Sequence, residues 1–300
     1  MNSLLEKDPI CLEDNNQNVW KYIFHFKDAI AEAVLYRYES FEERTVLCVS
    51  VQSGCPVGCT FCGTGKKFIR NLTYNEIIFQ VEYILENKLI DSNNCKKFQI
   101  MFMSMGEPFL NYINVETTIN ILSQKFPNAQ LLVSTIAPRK ELELRQFINF
   151  SKIIPKVGLQ FSIHASYNSA RNELIPFRDK LSLTEIRNYG IEWWHNTNRK
   201  PYLNYCVNDS NSKTNDWIEL RNIFPPNVFC FTFSVICSKD ETMKTAGYRN
   251  LDNIREFEEL FIKDGYDTRI FDPAGQDTIG GGCGQLFYVQ KHLEKISVGM

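Results

Sequence analysis

Ser53-Gly-Cys-Pro-Val-Gly-Cys-Thr-Phe-Cys-Gly-Thr-Gly65 is the stretch that decides the fold of this chain. Its cysteines, Cys55, Cys59 and Cys62, are spaced C-x3-C-x2-C. Such a triple supplies three thiolates to a four-iron, four-sulfur cluster and leaves the fourth iron without a protein ligand. S-adenosylmethionine can chelate that iron through its amino and carboxylate groups, and an electron from the cluster then breaks a carbon–sulfur bond to give a 5′-deoxyadenosyl radical. Structural zinc is the competing reading, with Cys48 as a fourth ligand, but zinc normally takes paired Cys or His ligands and no second C-x2-C or H-x3-H pair follows. A disulfide framework fits short secreted chains rather than one of 300 residues.

Outward from this loop, apolar β-rich runs alternate with helix-period segments. The runs 45–52, 97–105, 130–136, 156–164, 201–207, 227–236 and 266–272 read as strands, and 73–89, 115–126, 140–150, 182–196, 215–223 and 251–263 as helices. Thr73 with Glu76 three residues later makes a capping box at the first helix. Repeated βα units predict a parallel sheet curved into a partial (β/α)6 TIM-type barrel of α/β class, and the cysteine loop then follows the first barrel strand, at the end where barrels place their active sites. We expect residues 31–300 to form this barrel with a C-terminal cysteine loop, preceded by a short N-terminal extension, residues 1–30, of little pattern and helical if ordered.

Composition narrows the function classes. Lys plus Arg total 33 against 35 Asp plus Glu, a formal charge of −2, which argues against a globally basic RNA-binding surface. Lys66, Lys67 and Arg70, with Arg139 and Lys140, remain candidates for local phosphate contacts. The first ten residues carry no signal-peptide pattern and no apolar run is long enough to span a bilayer, so a cytoplasmic protein without membrane attachment is expected. Ten cysteines fit a reducing compartment.

Further residues join the cluster loop. Met105-Gly-Glu-Pro108 closes the second barrel strand, where Gly106 admits a ligand close to the backbone and Glu107 can accept a hydrogen bond from an ammonium group. Ser134, and Ser162-Ile163-His164, end the third and fourth strands, within reach of a cofactor's carboxylate and ribose. Cys48 lies seven residues before Cys55, and Cys283 stands among glycines in Ile279-Gly-Gly-Gly-Cys-Gly284, which suggests a mobile, reactive thiol. Cys11, Cys95, Cys206 and Cys230 read as packing residues.

Together, Leu47-Cys-Val-Ser-Val-Gln-Ser-Gly-Cys55, the cysteine triple, Arg70-Asn-Leu72 before Glu76-Ile-Ile78, Met105-Gly-Glu-Pro108 with Leu110-Asn111, Ser162-Ile-His-Ala165 and Cys283-Gly-Gln-Leu286 resemble the radical S-adenosylmethionine RNA adenine methyltransferases. Members of that family methylate carbon 2 of an adenosine in large-subunit rRNA and in some tRNAs, and relatives methylate carbon 8 and confer antibiotic resistance. The resemblance implies a [4Fe-4S] cluster on Cys55, Cys59 and Cys62, two S-adenosylmethionine molecules per turnover and a flavodoxin-type electron donor. It implies that Cys283 takes a methyl group as S-methylcysteine and that Cys48 resolves the protein–substrate adduct by forming a disulfide with Cys283. Glu32, within Ala31-Glu-Ala-Val34, resembles the family's proposed proton acceptor.

The chain also departs from the pattern. The family's N-terminal accessory domain has no counterpart in the roughly thirty residues before the match. Ser234-Val-Ile-Cys237 stands where the family has an asparagine that helps hold S-adenosylmethionine. Two alternatives to RNA methylation follow: the same chemistry on a small nucleotide-like heterocycle, and an iron–sulfur protein that senses redox state or binds a partner.

Overall fold

Residues 4–238 and 247–286 are described by a computed structural model of the chain. The N-terminal segment is where expectation and structure part. Residues 5–26 run as two strands rather than a helix: β1 (Leu5–Glu13), β2 (Val19–Phe26) and β3 (Ala29–Tyr38) form an antiparallel meander. The reason is legible in Val-Trp-Lys-Tyr-Ile-Phe-His-Phe, residues 19–26, an apolar run without alternation. Such a run suits a strand covered on both faces, and all eight residues are buried. Phe24 meets Phe79 and Tyr83 edge-on at 6.0 and 5.6 Å on one side.

The meander continues directly into the barrel sheet. β3 pairs antiparallel with β4 (Arg44–Val49), with Val34 opposite Cys48. A short ribbon of β5 (Gln52–Gly54) and β6 (Phe68–Asn71) brackets the cysteine loop and leads to α1 (Tyr74–Asn87). Then follow β7 (Lys97–Phe102), α2 (Tyr112–Lys125), β8 (Gln130–Thr135), α3 (Glu141–Ile153), β9 (Val157–Ser162), the short α4 (Asn168–Leu174), α5 (Leu183–Thr197), β10 (Tyr202–Cys206), α6 (Thr214–Ile223), β11 (Cys230–Ser234), α7 (Leu251–Lys263) and β12 (Asp267–Phe271).

The sheet order is β1-β2-β3-β4-β7-β8-β9-β10-β11-β12, and every neighbouring pair from β4 onward is parallel. Six βα units and a closing seventh strand make the partial TIM-type barrel that the alternation predicts. β1 and β2 are joined to it through one continuous sheet, and the expected boundary at residue 30 falls inside β3. The expectation for residues 287–300 lies outside the described residues.

Helix starts follow local chemistry. Thr73 caps α1 and Ser182 caps α5, each in a complete capping box with Glu76 and Glu185. No helix among the described residues is long and apolar enough to cross a membrane.

Candidate active site

The cysteine loop is fixed at both feet. Cys55 N–H donates to the Lys67 carbonyl at 2.9 Å, and Thr60 N–H reaches the Leu174 carbonyl at 3.0 Å. Gly54, at φ +78°, has no alternative residue: a Cβ there would lie 2.0 Å from the Lys67 carbonyl oxygen. Gly106, at φ +99°, is packed against Gln52, whose side chain a Cβ would meet at 2.6 Å. Gln52 in turn accepts the Glu107 N–H at 2.8 Å, so the first and second strand ends are set relative to each other by one side chain.

These elements line one cavity of about 420 Å³ at the barrel mouth. Cys48, Cys55, Cys59, Cys62, Gly106, Glu107, Ser134, Ser162, His164 and Cys283 all contribute to its wall. Two expected site residues do not. Ile163 is fully buried, because alternation along β9 turns Gln160, Ser162 and His164 to the cavity and Ile163 into the core. Glu32, expected as a proton acceptor at the site, lies beyond the wall on the same face of β3 as Val34 and Tyr36; its carboxylate is buried against Lys21 at 2.8 Å rather than solvated at a strand edge.

Glu107 has three donors: the Thr135 hydroxyl at 2.5 Å and the backbone N–H groups of Ile136 and Phe109 at 2.8 and 3.1 Å. Burial nonetheless outweighs them and pushes its carboxyl up to about 7. The site therefore holds a carboxylate that gains from a cation beside it. His164 has φ +57°, uncommon for a non-glycine residue, and its Nδ1 accepts the Cys206 N–H at 3.1 Å. Burial, with the Arg171 guanidinium nearby, drives its pKa down to about 3, so the imidazole is a neutral acceptor. Phe61, between two cluster-loop cysteines, stands edge-on to that ring at 4.9 Å. Ser134 and Ser162 face each other at 3.4 Å, and Gln160 donates to Ser134 at 3.0 Å.

Burial pushes the Cys48 and Cys55 thiols up to about 12 each, and Cys59 higher still, whereas the Cys283 side chain is exposed at the cavity wall and open to a reactant. Cys48 and Cys283 line the same cavity as Cys55, Cys59 and Cys62. The donor set fits an iron–sulfur cluster. Three soft sulfur ligands share one wall of the cavity, and the positive charge of bound iron would favour their thiolate forms. Among the described residues no three Cys, His, Asp or Glu side chains converge on a point that could hold a single metal ion, which does not suit the zinc alternative.

The Cys283 loop is less mobile than its glycines suggest. The carbonyls of Gly280, Gly281, Gly284, Gln285 and Leu286 each accept a hydrogen bond from Lys21, Tyr36, Gly63, Lys21 and Thr64 respectively. Cys237 does not line the cavity. It is buried beneath this loop, and a Cβ on Gly282 would sit 2.6 Å from its sulfur.

Two of the basic residues considered for phosphate contacts are already engaged. Arg70 is held by Glu76 at 2.7 Å and Asp28 at 2.9 Å, and Arg139 by Glu185 at 2.7 Å. The side chain of Lys66 lies outside the described parts of the structure. Sequence reasoning passed over Tyr36, Gln160, Asn204 and Arg269, which also line the cavity. It also passed over Lys21, although a lysine inside an apolar strand is a readable signal.

No family model matches the chain. It is similar to a probable dual-specificity RNA methyltransferase RlmN of Heliobacterium modesticaldum, 31% identical over 282 residues, 89% of this chain and 69% of the relative. A dual-specificity RNA methyltransferase RlmN of Vesicomyosocius okutanii is 32% identical over 259 residues, 82% of this chain and 68% of the relative. Among solved structures, a radical SAM methyltransferase from Sphaerobacter thermophilus superposes with a TM-score of 0.78 at 25% identity, over 93% of this chain and 80% of that one. Streptococcus suis SuiB bound to S-adenosylmethionine, at TM-score 0.53 and 14% identity over 77% of this chain and 48% of that one, shares the fold alone.

Proposed function

This chain belongs to the family of dual-specificity RNA methyltransferases named RlmN, and from that membership we propose that it methylates an sp2 ring carbon of adenosine in RNA through an S-methylcysteine on Cys283, resolved by Cys48. The observation that carries the reading is the placement of Cys48 and Cys283 on the wall of one cavity together with Cys55, Cys59 and Cys62. A structural or redox-sensing cluster has no use for two further thiols facing that space.

Cys55, Cys59 and Cys62 would hold a [4Fe-4S] cluster, with Glu107 taking the amino group of S-adenosylmethionine and Gly106, Ser134, Ser162 and His164 around the rest of that cofactor. Once reduced, for instance by a flavodoxin-type donor, the bound pair supplies a 5′-deoxyadenosyl radical capable of removing a hydrogen atom from a methyl group. The protein's own residues do the rest. The Cys283 thiolate, favoured beside the cationic sulfonium of a first S-adenosylmethionine, attacks its methyl carbon; the carbon–sulfonium bond breaks and S-adenosylhomocysteine leaves, the thiol proton having passed to solvent. The methyl carbon, once joined to the ring, tethers the RNA to Cys283. The ring carbon would give up its own proton, and the surplus electron of the addition would pass back to the cluster. The Cys48 thiolate then attacks the Cys283 sulfur, the sulfur–carbon bond breaks, and the released carbon takes up a proton to become the methyl group. The Cys48–Cys283 disulfide awaits a two-electron thiol reductant before another turnover. The route suits its target, because the carbon between two adenine ring nitrogens is electron-poor and no nucleophile toward a sulfonium.

Anaerobic incubation of the cluster-reconstituted protein with methyl-deuterated S-adenosylmethionine, reductant and total cellular RNA tests the reading by mass spectrometry. The expected product is a methyladenosine retaining two of the three methyl deuteriums. Full retention of all three would point to direct transfer, and no labelled nucleoside at all would remove RNA as the substrate.

A pH dependence follows from Glu107. An ionised carboxylate attracts an ammonium and a protonated one does not, and the group titrates at about 7. S-adenosylmethionine binding, measured by equilibrium dialysis on the cluster-loaded protein, should therefore tighten between pH 6 and pH 8. In Glu107→Gln that tightening should be lost; an unchanged slope would assign the pH response to another group.

A further inference from the structure

We infer that the N-terminal hairpin of β2 and β3 is the clamp that aims Cys283, with Lys21 and Tyr36 as its positioning residues. The inference rests on the reading of Cys283 as the methyl carrier. Its evidence is independent of that reading.

Lys21 faces Val34 across the β2–β3 ladder, which places Glu32 on the diagonal of the same face. The ammonium is 2.8 Å from the Glu32 carboxylate, and the two side chains are only 2% and 0% exposed. A buried pair of this kind carries a large desolvation cost and gives little stability beyond what an apolar pair would. Here the ammonium has further partners that an apolar residue could not replace: the carbonyls of Gly280 at 3.2 Å and Gln285 at 3.0 Å, on either side of Cys283. Two positions along β3 from Val34, the Tyr36 hydroxyl donates to the Gly281 carbonyl at 2.5 Å.

The opposite side of the loop is tied to the residues that follow Cys62. Gly63 N–H donates to the Gly284 carbonyl at 2.7 Å, and the Thr64 hydroxyl to the Leu286 carbonyl at 3.1 Å. Cys283 therefore sits at the top of a loop stretched between the hairpin and the cluster loop. A run of three glycines has little conformational preference of its own; internal bonds such as Gly282 N–H to the Gln285 side chain at 2.9 Å give the loop its shape, and these external donors anchor that shape against the barrel. Glu32 acts here through Lys21, by holding the buried ammonium in place between β2 and β3.

Backbone hydrogen exchange of the cluster-reconstituted protein, read by mass spectrometry on peptides spanning residues 275–286, tests the clamp. The double variant Lys21→Met/Glu32→Gln removes the lysine donor to the loop together with its buried ion-pair partner. Exchange in that segment should accelerate by at least about tenfold, the mark of a local opening, while β8 and α2 peptides keep wild-type rates. S-methylation of Cys283 should slow by a similar factor, and Lys21→Arg, which keeps charge and donors, should restore most of both. Tyr36→Phe removes a single bond and should shift exchange in the same direction by less; it carries the comparison if the double variant does not fold. Wild-type exchange in whichever of these variants folds overturns the clamp. A wild-type protein whose Cys283 takes no methyl would overturn the proposed function instead, and would leave the exchange comparison intact.

Discussion

Cys283→Ala is expected to lose methyl transfer to RNA entirely, on the order of a thousandfold or more below wild type, while the cluster and its absorbance remain. The expectation follows from the proposed role of the Cys283 thiol as the methyl carrier, which a methyl side chain cannot take over. Cys48 cannot stand in: it lies on rigid β4, paired with Val34 on one side and Met101 on the other, whereas Cys283 is carried on a loop. Cys237 is walled off beneath Gly282. The measurement is mass spectrometry of digested nucleosides beside iron and sulfide content. Methylated RNA formed at more than a few per cent of the wild-type rate, with iron retained, would mean that the methyl never passes through Cys283.

Cys48→Ala should give the opposite phenotype, an accumulating covalent RNA–protein adduct with almost no free product. Removing the resolving thiol stops the last step after the carbon bond to the substrate has formed, so material collects there. Denaturing gels with labelled RNA should show a nuclease-sensitive shift in Cys48→Ala and none in the Cys48→Ala/Cys283→Ala double variant. The two effects are not additive, because both residues act in sequence on one covalent path. Release of free methylated RNA by Cys48→Ala at the wild-type rate would assign resolution to another group.

Both experiments concern residues that chain order alone does not bring together. Cys48 and Cys283 are separated by most of the barrel, and they share one cavity wall because the segment after β12 is carried back onto β2, β3 and the cysteine loop. The cysteine triple needed no such help. Its three ligands are local in sequence, and their spacing carries their chemistry before any folding is considered. The seven parallel strands and six long helices were similarly legible, since apolar periodicity and capping boxes at Thr73 and Ser182 are short-range signals.

The first thirty residues were not legible in the same way. A strand buried on both faces lacks the alternation that identifies a strand, so β2 resembles a patternless apolar run until α1 is seen to cover it. Glu32 shows the same limit from the other side. A charged residue in a strand reads as solvated unless its partner is known, and Lys21 lies on a different strand, across a ladder whose register no local rule supplies. Arg70 and Arg139, which looked free to meet phosphate, proved to be held by Glu76 and Glu185.

What the amino-acid sequence by itself determined was the chemistry available: three cluster thiols, two further thiols, a carboxylate beside a glycine turn, and the alternating elements of a barrel. Only the tertiary structure decided which of these groups share a cavity, which side chains are neutralised by partners far along the chain, and what holds Cys283 in place. The physical reason is range. Propensity, capping and ligand spacing act over a few residues, whereas burial, ion pairing and the direction of a thiol depend on atoms that the chain brings together only when the sheet closes.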